Sequence, residues 1–439
     1  MKIRIAISGL LLTVSSISQG QAVPTGSTSM APSNSLLNLS PLDGVLHYAL
    51  SASEIVQYGY YGAGDVTNSS VLSGDVAYTA KSTARPFNLV FAGGVSIGNQ
   101  GGQGTTTFWN VAASQGYVTR KWVFNISDSF SFLPQSPTTG LSGIPGVGDL
   151  GAIPVQGPSE GPAGGVLSFA GNRISNSLGG SAERQLDHAT SISGAGSWSV
   201  LNFLGDSTNE LNNTEVSATV AVNRRLDQRS SASLSAVYST FTYSGPAANF
   251  LTPDIETRGI NLSYQRLLSR TLSASVSVGP QWVNSSNDLL IPPALNVAGS
   301  ASLSYSRRST NASVYYSRGV NGGSGVLPGA ISDSIGAGVG RSFGRDWVAS
   351  LSASYSHTAG LTQLAGIPGA PSKEIYDTVF GGIQVTRRIG TRFSGYLSYG
   401  AQNQSSNFFL PGQNALNGTS QTFGIGITYS PRSTRLGQF

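Results

Sequence analysis

The stretch TLSASVSVGPQW at residues 271–282, with its continuation NVAGSASLSYSRRSTNASVYYSRG at 296–319, decides the fold. Leu272, Ala274, Val276, Val278 and Trp282 fall on one parity, and Ser273, Ser275, Ser277 and Gln281 on the other. In the continuation Val297, Ala301, Leu303 and Tyr305 alternate with Ser300, Ser302, Ser304 and Ser306, and the chain reverses at Arg307-Arg308-Ser309-Thr310. A period of two held over more than about eight residues predicts a strand with one apolar and one polar face. The same unit recurs along most of the chain.

Composition excludes an ordinary soluble protein. Charged residues are 10% of 439, against the roughly 25% usual in soluble domains, and glycine numbers 56. Mean hydropathy is −0.01, and no run approaches the roughly 18 apolar residues of a membrane-spanning helix outside a shorter leader. That leader reads as a secretory signal over residues 1–22: Lys2 and Arg4, an apolar core at 5–14, and the small-residue site Gly20-Gln21-Ala22. Residues 23–44, rich in Ser, Pro and Gly, are expected to be a flexible periplasmic lead-in, with a plug or partner-binding tail as the other reading. There is no cysteine, and three scattered histidines make a zinc site improbable, so no cofactor is expected.

The repeat is clearest between residues 180 and 430. Short turns carry arginine on one or both sides, as at Arg224-Arg225-Leu226-Asp227-Gln228-Arg229, Arg266-Leu267-Leu268-Ser269-Arg270 and Arg387-Arg388-Ile389-Gly390-Thr391-Arg392. Successive turns lie about 35–45 residues apart, which fits two strands and one longer loop. A β-propeller repeats at a similar length but with four strands per repeat. A sandwich alternates as cleanly, but with shorter strands and a more charged surface. Thirteen strands from about residue 173 and five upstream predict an all-β, transmembrane, antiparallel up-and-down β-barrel of about 18 strands, with 16 as the alternative. The barrel domain is set at residues 45–430, its largest external loop at 134–171, and a C-terminal tail at 431–439.

Trp347, Ala349, Leu351, Ala353 and Tyr355 repeat the outward parity against Ser350, Ser352, Ser354 and Ser356, as do Phe423, Ile425, Ile427 and Tyr429 against Thr422 and its neighbours. Aromatics such as Tyr264, Tyr305, Trp347, Phe393 and Tyr429 stand beside the turns, as an interfacial girdle requires. Most cations sit in the turns. Arg224, Arg225, Arg266, Arg307, Arg308, Arg387 and Arg388 are expected to meet the anionic headgroups of outer-membrane lipid on the periplasmic side. A pI near 9.4 divided among separate turns is not a nucleic-acid footprint.

The signal sequence, the two-strand repeat, the Arg-flanked turns and the final strand TFGIGITYS resemble a bacterial outer-membrane β-barrel of the porin or polysaccharide-export kind. The resemblance is one of architecture and covers residues 45–430. It implies the bacterial outer membrane as location and the barrel-assembly machinery as partner. Such chains end on an aromatic of the last strand, whereas here residues 431–439 follow Tyr429, so Phe439 is the aromatic left for that signal. The inward face is dominated by Ser, Thr, Gly, Asn and Gln, with candidate lumen residues Ser302, Ser304, Ser350, Ser352, Ser354, Tyr396 and Thr422. A hydroxyl-lined lumen with little fixed charge suits neutral or saccharide-like solutes. The alternatives are a closed barrel whose loops bind external partners, its small residues filling space beneath folded-in loops, and, remotely, a lipid-facing hydrolase. The last would use His357 with outward Asp333 or Asp377, but Ser332, Ser334 and Ser356 face inward, so no enzymatic role is expected. His47 and His188 lie at the first strand and in a turn. Gly146-Val147-Gly148 and Gly322-Gly323 lack a following helix and lysine, which makes them loop glycines. Oligomeric state is not legible.

Overall fold

The structure is a computed structural model that describes residues 45–59, 66–80, 82, 84–100, 105–134, 172–204, 211–244, 252–323, 326–363, 372–407, 417–431 and 434–435. The signal and lead-in expected at 1–44, nearly all of the 134–171 loop, Gly146-Val147-Gly148 and Phe439 lie outside the described residues.

Eighteen strands follow one another: β1 (Val45–Tyr58), β2 (Val66–Thr79), β3 (Phe87–Gln100), β4 (Thr105–Val118), β5 (Trp122–Pro134) and β6 (Asn172–Gln185). Then come β7 (Thr190–Phe203), β8 (Asn212–Arg225), β9 (Ser230–Ser244), β10 (Ile255–Leu267), β11 (Leu272–Ser285) and β12 (Ala294–Arg307). The last six are β13 (Thr310–Asn321), β14 (Ala330–Phe343), β15 (Trp347–Gly360), β16 (Ile375–Ile389), β17 (Phe393–Ser406) and β18 (Gly418–Tyr429). Each pairs antiparallel with its sequence neighbours, and β1 pairs with β18 from Leu50↔Tyr429 to Tyr58↔Gln421, closing the ring. Closure removes every free edge, which lets a sheet this large stand in lipid without unpaired backbone groups. The tail adds one small element beyond the expected eighteen: β19 (Thr434–Arg435) pairs with Leu46 and Val45.

The connections alternate largely as the repeat predicts, short from most even to odd strands and longer from most odd to even ones. Two turns share one construction. Asp187 accepts hydrogen bonds from the backbone N–H groups of Ala189 and Thr190, both at 2.7 Å. Asp227 accepts from those of Arg229 at 2.6 Å and Ser230 at 2.7 Å, and from the Ser230 hydroxyl at 2.7 Å. Side-chain capping of this kind is why aspartate occupies a tight reversal. The donors also hold both carboxyls below the usual carboxylate range: the Ala189 and Thr190 amides act on Asp187, and the Ser230 hydroxyl then the Arg229 amide on Asp227. Gly344 and Gly390 reverse two other turns at φ +67° and +72°, in the left-handed region that favours glycine.

Alternation sorts the side chains. Val278, Leu303, Leu351 and Ile425 are 51%, 43%, 56% and 60% exposed, and they belong to a band of apolar side chains on the outer parity of every strand. A continuous apolar exterior of this extent is not a water-facing surface. Among the described residues no helix is long and apolar enough to cross a membrane; the strands make the crossing.

Candidate functional site

The interior wall is built from the other parity. Its hydroxyls pair across strands: Ser275 with Ser302 at 2.7 Å, Ser277 with Ser300 at 2.8 Å, Ser197 with Ser217 at 2.6 Å and Ser332 with Thr358 at 3.0 Å. Each serine has one proton to donate and two lone pairs, so a Ser–Ser pair keeps one donor and several acceptors for another molecule. Ser302, Ser304, Ser350, Ser352 and Ser354 all stand on this parity, as do Tyr396 and Thr422, which are buried. Among the described residues fixed charge on the inward strand positions is confined to Asp75, Arg173, Glu183, Glu215, Arg225 and Arg388, with buried Glu374 beside them at the loop end of β16, and the inward positions of β9 to β15 carry none.

At the loop end the chain folds in over this wall. The Asn213 amide of β8 donates to the Gly322 carbonyl at 3.2 Å, and the Val320 N–H donates to Gln281 Oε1 of β11 at 3.3 Å. A Cβ on Gly329 would meet Ile255 Cδ1 at 2.2 Å and Leu361 Cδ1 at 3.0 Å, so only glycine lets the backbone lie this close to β10. Its φ of +76° makes the same demand. Leu327, five residues after Gly322, packs instead with Ala330 and Tyr376 of β16. The β13–β14 connection thus touches β8, β10 and β16 and lies across part of the mouth. Two neighbours brace it. Gln363 N–H donates to the Leu290 carbonyl at 2.9 Å, and Leu361 N–H to the Gly329 carbonyl at 3.1 Å. Beneath them Phe241, Tyr243, Ile255, Val283, Ile291 and Leu361 form one buried apolar cluster.

On the outer surface a polar row crosses β13 to β17 near the loop end, in register Arg318↔Asp333↔His357↔Asp377↔Ser405. Asp333 accepts from Arg318 and from the Tyr316 hydroxyl at 2.7 Å. Asp377 accepts from the Tyr355 hydroxyl at 2.6 Å and faces His357 Nδ1 at 2.8 Å. The histidine–carboxylate pairing anticipated from parity therefore forms. Among the described residues no nucleophile accompanies it: Ser405 has outward parity, but β16 stands between it and His357, roughly 10 Å for two strand spacings, beyond proton-transfer reach. The row reads as a satisfied interfacial hydrogen-bond network.

At the turn end Arg224, Arg225, Arg266, Arg307, Arg308, Arg387 and Arg388 are all exposed. Arg184 lies over the Trp122 ring at 5.4 Å and Arg387 over Trp347 at 5.1 Å, which joins the cations to the aromatic girdle. A closed ring of eighteen strands, an apolar outer band, aromatic–cation pairs at one rim and a hydrophilic inner wall occur together in one architecture. The chain is an integral β-barrel of the outer-membrane type.

No family model matches the sequence, and no curated protein matches it. Solved structures similar to it include Pseudomonas aeruginosa OccK2 (OpdF), 10% identical over 89% of this chain and 98% of that one, TM-score 0.44. The outer membrane protein OpdK of the same organism is 9% identical over 90% and 100%, TM-score 0.44, and OprD is 10% identical over 90% and 98%, TM-score 0.39. These likenesses carry no residue-by-residue correspondence.

The sequence marks Gly322-Gly323 as loop glycines but does not show that the β11–β12 and β13–β14 connections fold over the mouth. A signal was present: Val326-Leu327-Pro328 and Leu289-Leu290-Ile291-Pro292-Pro293 are apolar runs inside loops that would otherwise be polar.

Proposed function

We propose that the protein is an outer-membrane channel through which neutral, hydroxyl-rich solutes of the saccharide kind pass. One observation carries the reading: the inward positions of seven consecutive strands, β9 to β15, hold no charged residue and are rich in serine. A wall without fixed charge gives little ion selectivity, whereas paired hydroxyls with spare donors and acceptors exchange hydrogen bonds with a sugar about as they would with water. Ser302, Ser304, Ser350, Ser352, Ser354, Tyr396 and Thr422 line the path in this reading. Arg224, Arg266, Arg307, Arg308 and Arg387 rest on phospholipid headgroups of the inner leaflet in this reading, each contact worth about 1 kcal/mol or less, whereas Arg225 and Arg388 stand on the inward parity; the barrel-assembly machinery inserts the chain. Planar-bilayer recording tests it: ohmic conductance with a cation-to-anion permeability ratio near unity is expected, and the absence of any conductance overturns it.

The inward β13–β14 connection favours a second reading, a barrel closed at the mouth whose loops engage external partners. Liposome swelling with uncharged sugars of increasing size separates the two, since a closed barrel admits none of them.

A further inference from the structure

We infer that the inner wall of β16, β17 and β18 carries a binding subsite for an uncharged sugar; the inference rests on the interior being the solute path. The wall there has a floor of small residues in register. Gly382, Gly400 and Thr422 face one another across the three strands at one level, and Gln384, Ser398 and Gly424 at the next. Around this floor stand Gln402 one level towards the mouth and Thr386 with Tyr396 one level towards the turns.

Four polar atoms of this frame are sealed from solvent and have no hydrogen-bond partner among the described residues: Gln402 Nε2, Gln384 Nε2, Thr386 Oγ1 and Thr422 Oγ1. Gln402 and Thr422 are 3% and 2% exposed and point inward by parity. Buried amides and hydroxyls are normally satisfied, and a group of them left unpaired on one patch of wall marks where a polar molecule, admitted by a shift of the covering side chains, would complete it. Two amide donors and two hydroxyls, with no charge among them, match the alternating donors and acceptors of a sugar ring and give no grip on an ion.

Aromatic surface completes the frame. A Cβ on Gly426 would lie 2.6 Å from Tyr396 Cε1, so the Tyr396 ring occupies the space a side chain there would fill, and one on Gly382 would lie 3.2 Å from Phe380 Cζ, which packs close beside it. Ring faces beside a glycine floor suit the apolar C–H face of a pyranose. Near the mouth of β8 to β11 an apolar cluster shares the covered inner wall with polar side chains, whereas this patch holds four unpartnered amide and hydroxyl atoms on three adjoining strands.

The test uses the full-length processed barrel in detergent and maltohexaose, an uncharged glucose oligomer, as probe. Isothermal titration is run on wild type, Gln402→Leu, Thr422→Val and a control remote from the wall, Leu289→Ala, 91% exposed, with planar-bilayer conductance measured on each. Binding to wild type is expected, weakened at least fivefold by Gln402→Leu and by Thr422→Val and unchanged by Leu289→Ala. Gln402→Asn, which retains the amide, is expected to lose less than Gln402→Leu, an ordering that a folding defect would not produce; heat-modifiable gel migration verifies each barrel. Absence of binding to a conducting wild type, or equal affinity in all variants, overturns the subsite and leaves the channel standing. Titratable binding to a barrel that never conducts supports the subsite and overturns the channel.

Discussion

Leu327→Ala is the most direct probe of the mouth. Leu327 is 3% exposed and is the side chain by which the β13–β14 connection reaches Ala330 and Tyr376. Truncating a buried leucine to alanine costs about 2–5 kcal/mol in a packed core. Here the loss falls on the docked loop and not on the barrel, whose ladders do not involve this side chain. At about 3 kcal/mol the ratio of undocked to docked loop rises on the order of 100-fold. Asn213→Ala removes the hydrogen bond to the Gly322 carbonyl, about 1 kcal/mol and roughly fivefold in the same ratio. Leu289→Ala, in the neighbouring connection, supplies the control: the same residue type, 91% exposed, with almost no burial to lose. Single-channel recording is the assay. Larger unitary conductance or added open-state noise is expected in the order Leu327→Ala, Asn213→Ala, wild type, with Leu289→Ala like wild type. Conductance and noise identical in all four proteins would refute the assignment of this loop to the mouth.

Three further outcomes follow from the wall, the turns and the glycines. Val278→Arg, on the outer face at mid-strand, is expected to destabilise the bilayer-inserted barrel by about 2–4 kcal/mol, whereas Ser277→Arg on the inner face costs far less; urea titration of refolded liposome samples reads the difference. Asp187 and Asp227 have folded pKa values below their unfolded ones, so their contribution is present above the unfolded pKa, near 4, and disappears as pH falls through the folded values. Asp187→Asn with Asp227→Asn should therefore flatten the acid limb by lowering stability at pH 7 to 9 while leaving it nearly unchanged below the folded pKa values, as unfolding midpoints along a pH series would show. A Cβ on Gly336 would stand 2.5 Å from the Tyr315 ring, so Gly336→Ala is expected to cost about 1–3 kcal/mol by overpacking. The loss should shrink in a Tyr315→Ala background; an unchanged double-mutant cycle would show that the ring is not the obstacle.

The strands were legible because the signal is local. In 271–282 and 296–319 each residue declares its face by its own polarity, and the turns at Arg225–Ser230 or Arg307–Thr310 announce themselves by charge and Asp, Ser or Thr. Parity even placed His357 beside Asp377 and set Ser332, Ser334 and Ser356 on the opposite face. The sequence reading stopped at the mouth. Nothing in Asn213 or Gln281 signals that Gly322 or Val320 will meet them, because those contacts join chain positions about 109 and 39 residues apart. The unsatisfied atoms of Gln402 and Thr422 were equally hidden: an inward glutamine looks the same in sequence whether or not a neighbour completes it.

By itself, then, the sequence determined that this chain forms a closed ring of two-faced strands, since alternation is a property of adjacent residues and lipid and water select between faces one side chain at a time. Which stretch of inner wall lies covered and which keeps open amide and hydroxyl groups was decided only in the tertiary structure. Loop packing and cross-strand satisfaction depend on distances between residues far apart in the chain, and no local pattern encodes them.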